Sequence, residues 1–255
     1  MSDTPFPRER FSFIAHGAMD LCNPISRVKH ERLIEVLGLT AGQRVLDVGA
    51  GKGTLLLDLV ERCGVWGVAV EPAQIFADVI EREAHRRGVS RGVTLLRSTL
   101  ADARASADFS GLFDCACCIG STHAFGDTSA CVRGLRDVVR PGGLAVVGLG
   151  YWKRPPAPEY LVAMGAAAEE NTTHAGNIGL LVREGLVPVW ATTASDDEWD
   201  EYEWAYARNI EDFARANPGD PDTARFLERS RGWRDIVAAW GRETLGFGLY
   251  VARRA

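Results

Sequence analysis

The sequence predicts an α/β protein in which helices cover both faces of a mostly parallel sheet. Five short apolar segments of strand type alternate with helical patterns through the first 150 residues. Alternation at this spacing is typical of parallel strands joined by crossover helices. A glycine-rich turn follows the first strand directly, and sheets of this kind bind ligands at the carboxyl ends of their strands. We therefore expect a binding site at that edge of the sheet.

The elements up to Gly150 are predicted from apolar periodicity and from cap and turn residues. The first helix begins at Asn23-Pro24, an Asn cap followed by a proline at the first helical position, and it ends at Leu37 before Gly38. The strands and helices that follow are a strand over Arg44–Val48, a helix over Thr54–Arg62, a strand over Trp66–Val70, a helix that ends at Gly88, strands over Val93–Leu96 and Phe113–Ile119, a helix from its cap Asp127 to Arg140, and a strand over Leu144–Leu149.

Beyond Gly150 the alternation becomes less regular. Helical patterns cover Glu159–Glu170 and Ala175–Glu184, and two further strands are predicted over Val187–Thr193 and Phe247–Arg253. About 50 mostly helical residues, 195–244, separate these last two strands. Because rigid sheets usually carry function on inserted segments, we expect this insertion to form a lid.

Length, composition and charge exclude several classes of function. The 255 residues, at ~150 per domain, favour one large domain with an elaboration. A net charge of −5 without a dense basic cluster argues against nucleic acid or an anionic membrane as the main partner. Apolar runs such as Leu144–Trp152 are too short to span a bilayer, and Met1–Arg10 is too polar for a signal peptide. We expect a cytoplasmic monomer or homodimer.

The six cysteines are interpreted as small core-filling residues. Cys115 and Cys118 form a C-x-x-C, but on a strand their side chains point to opposite faces. No histidine or acidic residues show a spacing typical of a metal site, so no metal is expected.

The turn Gly49-Ala50-Gly51-Lys52-Gly53 carries the strongest chemical signal. Glycine lets backbone N–H groups and a helix N-terminus approach a ligand closely. A dinucleotide fingerprint needs a third glycine where Thr54 stands, and a P-loop needs Ser or Thr where Gly53 stands. Glu71 ends the next strand, where a carboxylate can accept both hydroxyls of a ribose. The spacing therefore disfavours a nicotinamide-dependent oxidoreductase.

Over roughly residues 30–150 the chain resembles the class I S-adenosylmethionine-dependent methyltransferases. The matching residues are Val45–Gly53, Glu71, Phe113-Asp114 and the segment from Leu135 to Gly143. Tyr151–Tyr160 is similar to a bacterial subgroup of small-molecule methyltransferases of unassigned substrate. The resemblance implies a Rossmann-like sheet of seven strands with the last antiparallel. It also implies a helical cap (1–38), a cofactor-binding core (39–150) and the lid (195–244) in one domain.

The resemblance implies S-adenosylmethionine as cofactor and a small molecule as methyl acceptor. Gly49, Ala50 and Gly51 would lie along the methionine part, Asp47 would orient its ammonium, and Gly120 would face it. Glu71 would hold the ribose. Thr99 stands where the family often has an acid for the adenine amino group, and Asp102 is the alternative. The remaining expected cofactor contacts are Gly53, Pro72 and Leu100.

Methyl transfer from a sulfonium is a displacement, and alignment alone can supply ~7–11 kcal/mol. A general base is needed only if the acceptor must lose a proton. His123, directly after the fourth strand, is the candidate base, since histidine accepts protons near neutral pH. The alternative is a loop histidine that bonds to the backbone. Tyr151, after the fifth strand, and His16, in a segment able to fold over the site, are the further catalytic candidates.

The segment Asp196–Tyr206 is the best indication of the acceptor. On a helix, its residues Trp199, Tyr202 and Tyr206 share one face with Glu203 beside them. Aromatic faces next to carboxylates suit a cationic amine. The alternative is an amphipathic lid helix whose aromatic residues pack on the sheet. Trp152 is also expected to contact the acceptor.

Two other functions stay open alongside methyl transfer. A non-catalytic protein that binds S-adenosylmethionine would share every cofactor residue. A nucleic-acid methyltransferase is disfavoured because both the net charge and the lid are acidic.

Overall fold

Seven strands form a single sheet in the computed structural model of the chain, which describes residues 5–255. The first four residues of the predicted cap (1–38) lie outside this range. In chain order the strands are β1 (Arg44–Val48), β2 (Trp66–Val70), β3 (Val93–Leu96), β4 (Phe113–Ile119), β5 (Val139–Trp152), β6 (Leu186–Thr193) and β7 (Leu245–Arg254).

The strands lie in the order β3-β2-β1-β4-β5-β7-β6. The first five strands pair in parallel, and β7 runs antiparallel to both of its neighbours, β5 and β6. The predicted α/β fold with seven strands and an antiparallel last strand is confirmed. The strand order reverses between β1 and β4, which is where a parallel sheet opens a crevice at its carboxyl edge.

Eleven α-helices are present in the described part of the chain. They are α1 (Arg8–His16), α2 (Arg27–Leu37), α3 (Thr54–Cys63), α4 (Gln74–Arg86), α5 (Leu100–Ala103), α6 (Thr128–Val138), α7 (Pro158–Met164), α8 (His174–Arg183), α9 (Asp196–Ala216), α10 (Thr223–Ile236) and α11 (Arg242–Thr244). A π-helical turn over Val237–Gly241 joins the last two. The insertion between β6 and β7 is helical, as predicted.

Several boundaries differ from the prediction. The helix expected over Glu159–Glu170 ends at Met164, and the helix expected to reach Arg140 ends at Val138, before β5 begins at Val139. The helix expected from Asn23-Pro24 begins instead at Arg27, because the Ser26 side chain accepts the N–H of Lys29 as the cap. The strand expected over Leu144–Leu149 is longer at both ends. Tertiary pairing explains the extension, since β5 continues beside β7 as far as Trp152. The predicted cap of α6 is confirmed: Asp127 accepts the N–H of Ala130 at 2.7 Å.

Each face of the sheet carries its own hydrophobic core. One core joins the sheet to α2, α3 and part of α4, and it includes Trp199 of α9. The other lies under α5, α6 and α8. Cys115 belongs to the first core and Cys118 to the second, so their side chains face opposite ways as predicted. A third, aromatic cluster holds α1 against α9 and α10, outside the sheet.

Residues 5–255 contain neither a helix that could span a membrane nor a cluster of metal-ligand side chains. No described helix is long and apolar enough to traverse a bilayer. Nor do His, Cys, Asp and Glu side chains in that range gather in groups of three or more that could hold a metal ion.

A buried charge network fixes α2 on α3. Asp58 of α3 is buried and accepts hydrogen bonds from His30 Nε2 at 2.8 Å and from Arg87 at 2.6 Å. Arg27 adds an ion pair at 2.9 Å. His30 is therefore buried and paired. Burial alone would raise the pKa of Asp58, but the bonds from His30 and Arg87 and the charge of Arg27 lower it to about 2.

We expect Asp58→Asn to lower the free energy of unfolding at pH 7 by ~3–5 kcal/mol, because it breaks a buried charged network from one side. The folded pKa lies below the unfolded one, so the stabilisation is present above pH ~4 and is lost as the pH falls toward 2. Urea denaturation at pH 7 and pH 3 should therefore show a smaller difference at pH 3. Asp137→Asn, at an exposed carboxylate, is the control, and equal losses at both positions would contradict the assignment.

Candidate active site

A cavity of about 730 Å³ opens where the strand order reverses. Its floor is formed by the carboxyl ends of β1, β2 and β4 and by the turn after β1. Helix α1 and the segment 20–25 form the roof. The cavity therefore lies at the edge of the sheet that the sequence predicts.

The glycine turn passes directly beneath the end of β4. A Cβ atom on Gly49 would lie 2.5 Å from Ser121 Oγ, closer than any real side chain allows. Gly49 and Gly51 also have positive φ angles, 69° and 57°, which favour glycine. No other residue fits at Gly49 without moving the turn or β4.

Glu71 is oriented by two backbone donors. Its Oε2 accepts the N–H of Gly51 at 2.8 Å, and its Oε1 accepts the N–H of Ala73 at 3.0 Å. Burial raises the pKa of Glu71, and these two hydrogen bonds offset part of that increase. Each carboxylate oxygen can accept a further hydrogen bond, so the side chain is held in place and still able to bind hydroxyl groups.

Asp47, at the end of β1, is buried without a partner. Its side chain is 6% exposed, lines the cavity, and accepts no hydrogen bond from residues 5–255. Burial, and then the neighbouring charge of Glu71, raise its pKa to about 7. A buried carboxylate without a hydrogen bond is costly. A cationic group in the cavity would remove that cost, so the site suits a ligand with an ammonium group.

The cavity brings together most of the predicted cofactor residues. Nine of them line it: Asp47, Gly49, Ala50, Gly51, Glu71, Pro72, Thr99, Leu100 and Gly120. Gly53 does not; it precedes α3, where a Cβ atom would lie 2.9 Å from Ile80 Cγ1. Asp102 lies off the cavity, and the Thr99 hydroxyl donates to it at 2.7 Å. The contacts of these residues with a cofactor stay predictions.

Lys52 holds the roof over the cavity. Its Nζ donates to the backbone carbonyls of Gly17 at 2.5 Å and Met19 at 2.8 Å, just after α1. The Thr54 hydroxyl adds a bond to the carbonyl of Asp20 at 2.6 Å. Sequence reasoning missed both roles. Four residues of α1 in the roof line the cavity: Arg8, Glu9, Ser12 and His16. Their helical spacing is the signal by which the sequence could have identified this face of α1.

The predicted acceptor residues of α9 line neither this cavity nor the second one described below. Trp199 packs into the sheet core. Tyr202 donates to His16 Nε2 at 3.1 Å, Tyr206 packs edge-on against His16 at 5.3 Å, and Glu203 accepts the indole N–H of Trp233 at 2.7 Å. The aromatic face is buried because it supports α1, which in turn covers the cavity. The insertion therefore supports the roof of the cavity by packing against α1, and these α9 residues do not line the cavity.

His16 lies on the cavity wall with both ring nitrogens engaged. Nδ1 donates to the carbonyl of Ser12 at 2.7 Å, which leaves Nε2 to accept from Tyr202. Burial lowers the pKa of His16, and the charge of Lys52 lowers it further. The arrangement favours a neutral, fixed imidazole, and a role as base would require it to exchange a partner.

His123 lies on an exposed 3-10 turn after β4, and its ring has no hydrogen-bond partner within residues 5–255. The structure therefore does not contain the alternative arrangement, in which the His123 ring would bond to the backbone. His123 and Gly120 line both the first cavity and a second one of about 840 Å³. Of the predicted catalytic residues, His123 alone borders both.

Tyr151 and Trp152 line neither cavity. They belong to the extended end of β5, paired with Gly246 and Leu245 of β7. Tyr151 packs against His174, and the Trp152 indole donates to the carbonyl of Ala168 at 2.8 Å. The longer strand places both side chains in packing positions, whereas the prediction placed them after the end of the strand, near the acceptor.

Comparison with known proteins identifies the chain. A family model described as a methyltransferase domain matches residues 45–143. A solved S-adenosylmethionine-dependent methyltransferase from Geobacter sulfurreducens, in complex with S-adenosyl-L-homocysteine, is 27% identical over the full length of both chains, with a TM-score of 0.88. The chain is an S-adenosylmethionine-dependent methyltransferase. A second solved methyltransferase, from Thiobacillus denitrificans and also with S-adenosyl-L-homocysteine, is 25% identical over both full chains at a TM-score of 0.87.

The methyltransferase also resembles the uncharacterized protein YjhP of Escherichia coli K12. The two are 27% identical over 244 residues, which is 95% of this chain and 97% of YjhP. The region that the family model matches includes the glycine turn, Glu71 and His123, whereas the roof and the helices that support it lie outside. The similarity over whole chains shows that these outer elements belong to the same fold as in the solved relatives.

We expect Asp47→Asn to stabilise the ligand-free methyltransferase by ~2–4 kcal/mol at pH 8, because it removes a buried charge without a partner. The folded pKa lies above the unfolded one, so the cost of Asp47 is absent near pH 4, grows as the pH rises toward 7 and is complete above it. Thermal and urea unfolding at pH 5 and pH 8 measure the difference. Asp114→Asn is the control, since its carboxylate accepts the N–H of Arg44 and has a lowered pKa. A variant equally stable as the parent at pH 8 would contradict this reading of Asp47.

Proposed function

We propose that the enzyme transfers the methyl group of S-adenosylmethionine, held in the first cavity, to a small-molecule acceptor. The observation that carries the proposal is the unpartnered carboxylate of Asp47 beside the glycine turn. The cofactor combines an ammonium group, a carboxylate and two ribose hydroxyls. The cavity offers a group of matching chemistry to each.

Three parts of the site would hold the cofactor. Asp47 would pair with the ammonium, and the amide groups at the turn and the N-terminus of α3 would face the carboxylate. Glu71 would accept the ribose hydroxyls through the lone pairs that its two backbone donors leave free. Pro72, Thr99 and Leu100, with Phe76 nearby, would surround the adenine.

The chain's own residues would align the reaction and exclude water. The bound cofactor supplies a methyl group on a positively charged sulfur. The acceptor's lone pair would bond to the methyl carbon as the carbon–sulfur bond breaks, and the electron pair of that broken bond would remain on sulfur. The roof held by Lys52 would keep water from this step. Where the acceptor loses a proton, His123 would take it, since its ring borders both cavities and has no partner within residues 5–255.

The acceptor that we propose is small and unrelated to nucleic acid. A net charge of −5 is unfavourable for binding a polyanion. The aromatic residues of α9 give no support for an amine acceptor, because Trp199 packs into the sheet core and Tyr202 and Tyr206 pack against α1. The six thiols are free, which is typical of a protein working in a reducing compartment such as the cytoplasm. We propose that the enzyme is either a monomer or a homodimer.

The cofactor part is tested by calorimetry with S-adenosylmethionine and S-adenosylhomocysteine. We expect micromolar binding of both, weakened ~10–100-fold by Glu71→Ala, because charged hydrogen bonds to the ribose are worth ~1.5–3 kcal/mol. Glu81→Ala, at an exposed carboxylate of α4, is the matched control. The absence of binding by the parent enzyme would overturn the proposal. Binding without turnover on a broad acceptor panel would instead favour a non-catalytic binding protein.

The role of His123 is tested by substitution once an acceptor is found. We expect His123→Ala to lower kcat ~100-fold, the scale of general base catalysis, and to leave the Kd of S-adenosylmethionine unchanged. The measurement is acceptor-dependent formation of S-adenosylhomocysteine, with His85→Ala, an exposed histidine of α4, as the control. Unchanged turnover would remove His123 from the mechanism.

A further inference from the structure

The second cavity has a wall in common with the first. Its volume is about 840 Å³, and it lies between the ends of β4 and β5, the N-termini of α6 and α8, and the 3-10 turn Ala168–Glu170. Gly120 and His123 line both cavities. A molecule in the second cavity would therefore meet the contents of the first at these two residues.

Apart from the imidazole of His123, the ionisable side chains that line the second cavity are all carboxylates. They belong to Asp127, Glu169 and Glu170, and no Lys or Arg of the described chain lines the cavity. Asp127 and Glu170 each use one oxygen to cap a helix, accepting the N–H of Ala130 and of Ala167. Glu169 has no partner within residues 5–255, so its charge faces solvent and the cavity without compensation.

Asn177, at the start of α8, gives an independent indication of the ligand. Its side chain is 2% exposed and lines the cavity. Its Nδ2 donates to the carbonyl of Gly150 at 3.1 Å and to the Tyr250 hydroxyl at 3.2 Å. Because a carbonyl can only accept, the bond to Gly150 fixes the orientation of the amide. Oδ1 then has no donor in the described chain, and it is left to accept a hydrogen bond from a molecule in the cavity.

Two helix N-termini open on the same cavity and oppose the carboxylates. Each carries roughly half a positive charge, about one charge in total. The negative charge of the three carboxylates exceeds this positive charge. The first-turn N–H groups of Ala130 and Gly176 are also already bonded to the caps Asp127 and Thr173. The cavity therefore favours cations and hydrogen-bond donors over anions.

We propose that the second cavity is the acceptor site and that it selects small cationic amines, with the ammonium group bound between Glu169 and Asn177 Oδ1. This inference rests on the proposed methyl transfer, because the wall containing Gly120 and His123 is what connects the site to the cofactor. It assigns selectivity to Glu169 and Asn177, which sequence reasoning did not identify. Anions such as carboxylates and phosphates are rejected by the same charges.

The test is ligand-observed NMR on the complex of the full chain with S-adenosylhomocysteine, preceded by calorimetry to show that the complex forms. The probes are matched pairs that differ in charge: benzylamine against benzoate, and cyclohexylamine against cyclohexanecarboxylate. We expect the amines to bind at millimolar concentration and the acids not to bind. Glu169→Gln should weaken amine binding ~5-fold, and raised ionic strength should weaken it further. Glu201→Gln, at an exposed carboxylate of α9, should leave binding unchanged.

Asn177→Leu should abolish amine binding and preserve affinity for S-adenosylhomocysteine. If this buried substitution prevents folding, Glu169→Gln decides alone. Equal binding of acids and amines, no binding of either, or amine binding that Glu169→Gln does not change would each overturn the inference. Failure of S-adenosylhomocysteine itself to bind would overturn the proposed function instead, so the two failures are distinguishable.

Discussion

The close passage of the turn after β1 beneath the end of β4 determines the rest of the site. The N–H groups of Gly49 and Ala50 donate to the carbonyl of Val70 at the end of β2, at 2.9 and 3.3 Å. With Ser121 above Gly49 there is no room for a side chain at that position. The course of the backbone here determines the positions of three groups: Asp47 near the end of β1, Gly51 bonded to Glu71, and Lys52 bonded to the roof. A larger residue at Gly49 would displace all three together.

Local sequence predicts the parts of this architecture that local interactions determine. The bounds of β1, β2, β3 and β4 were predicted residue for residue, because each is a short apolar run between glycines or charged residues. The start of α2 was misplaced because a serine cap three residues beyond Asn23 forms the helix instead. The length of β5 was underestimated, since its last residues are strand only by virtue of pairing with β7.

The same distinction between local and tertiary interactions explains which parts of the site could be predicted. The turn and Glu71 lie within one strand–helix–strand unit, so their meeting was predictable. The bond from Lys52 to Gly17 joins residues 35 apart through a tertiary contact that no periodicity encodes. The face of α9 with Trp199 and Tyr202 was correctly predicted as one surface, but amphipathicity says only that a face is covered and not what covers it. The sheet core covers Trp199, whereas α1, a helix at the other end of the chain, covers Tyr202.

Helix α1 lies between two supports, the Lys52 ammonium on one side and the aromatic residues of α9 and α10 on the other. Residues 5–20 are for this reason not an appendage that could be removed when shorter versions of the enzyme are made. Truncation there would remove the carbonyls of Gly17 and Met19 that the Lys52 ammonium group binds. It would also expose Tyr206, Ile210 and Phe226 as a new apolar surface. The loss would thus reduce solubility as well as uncover the cavity.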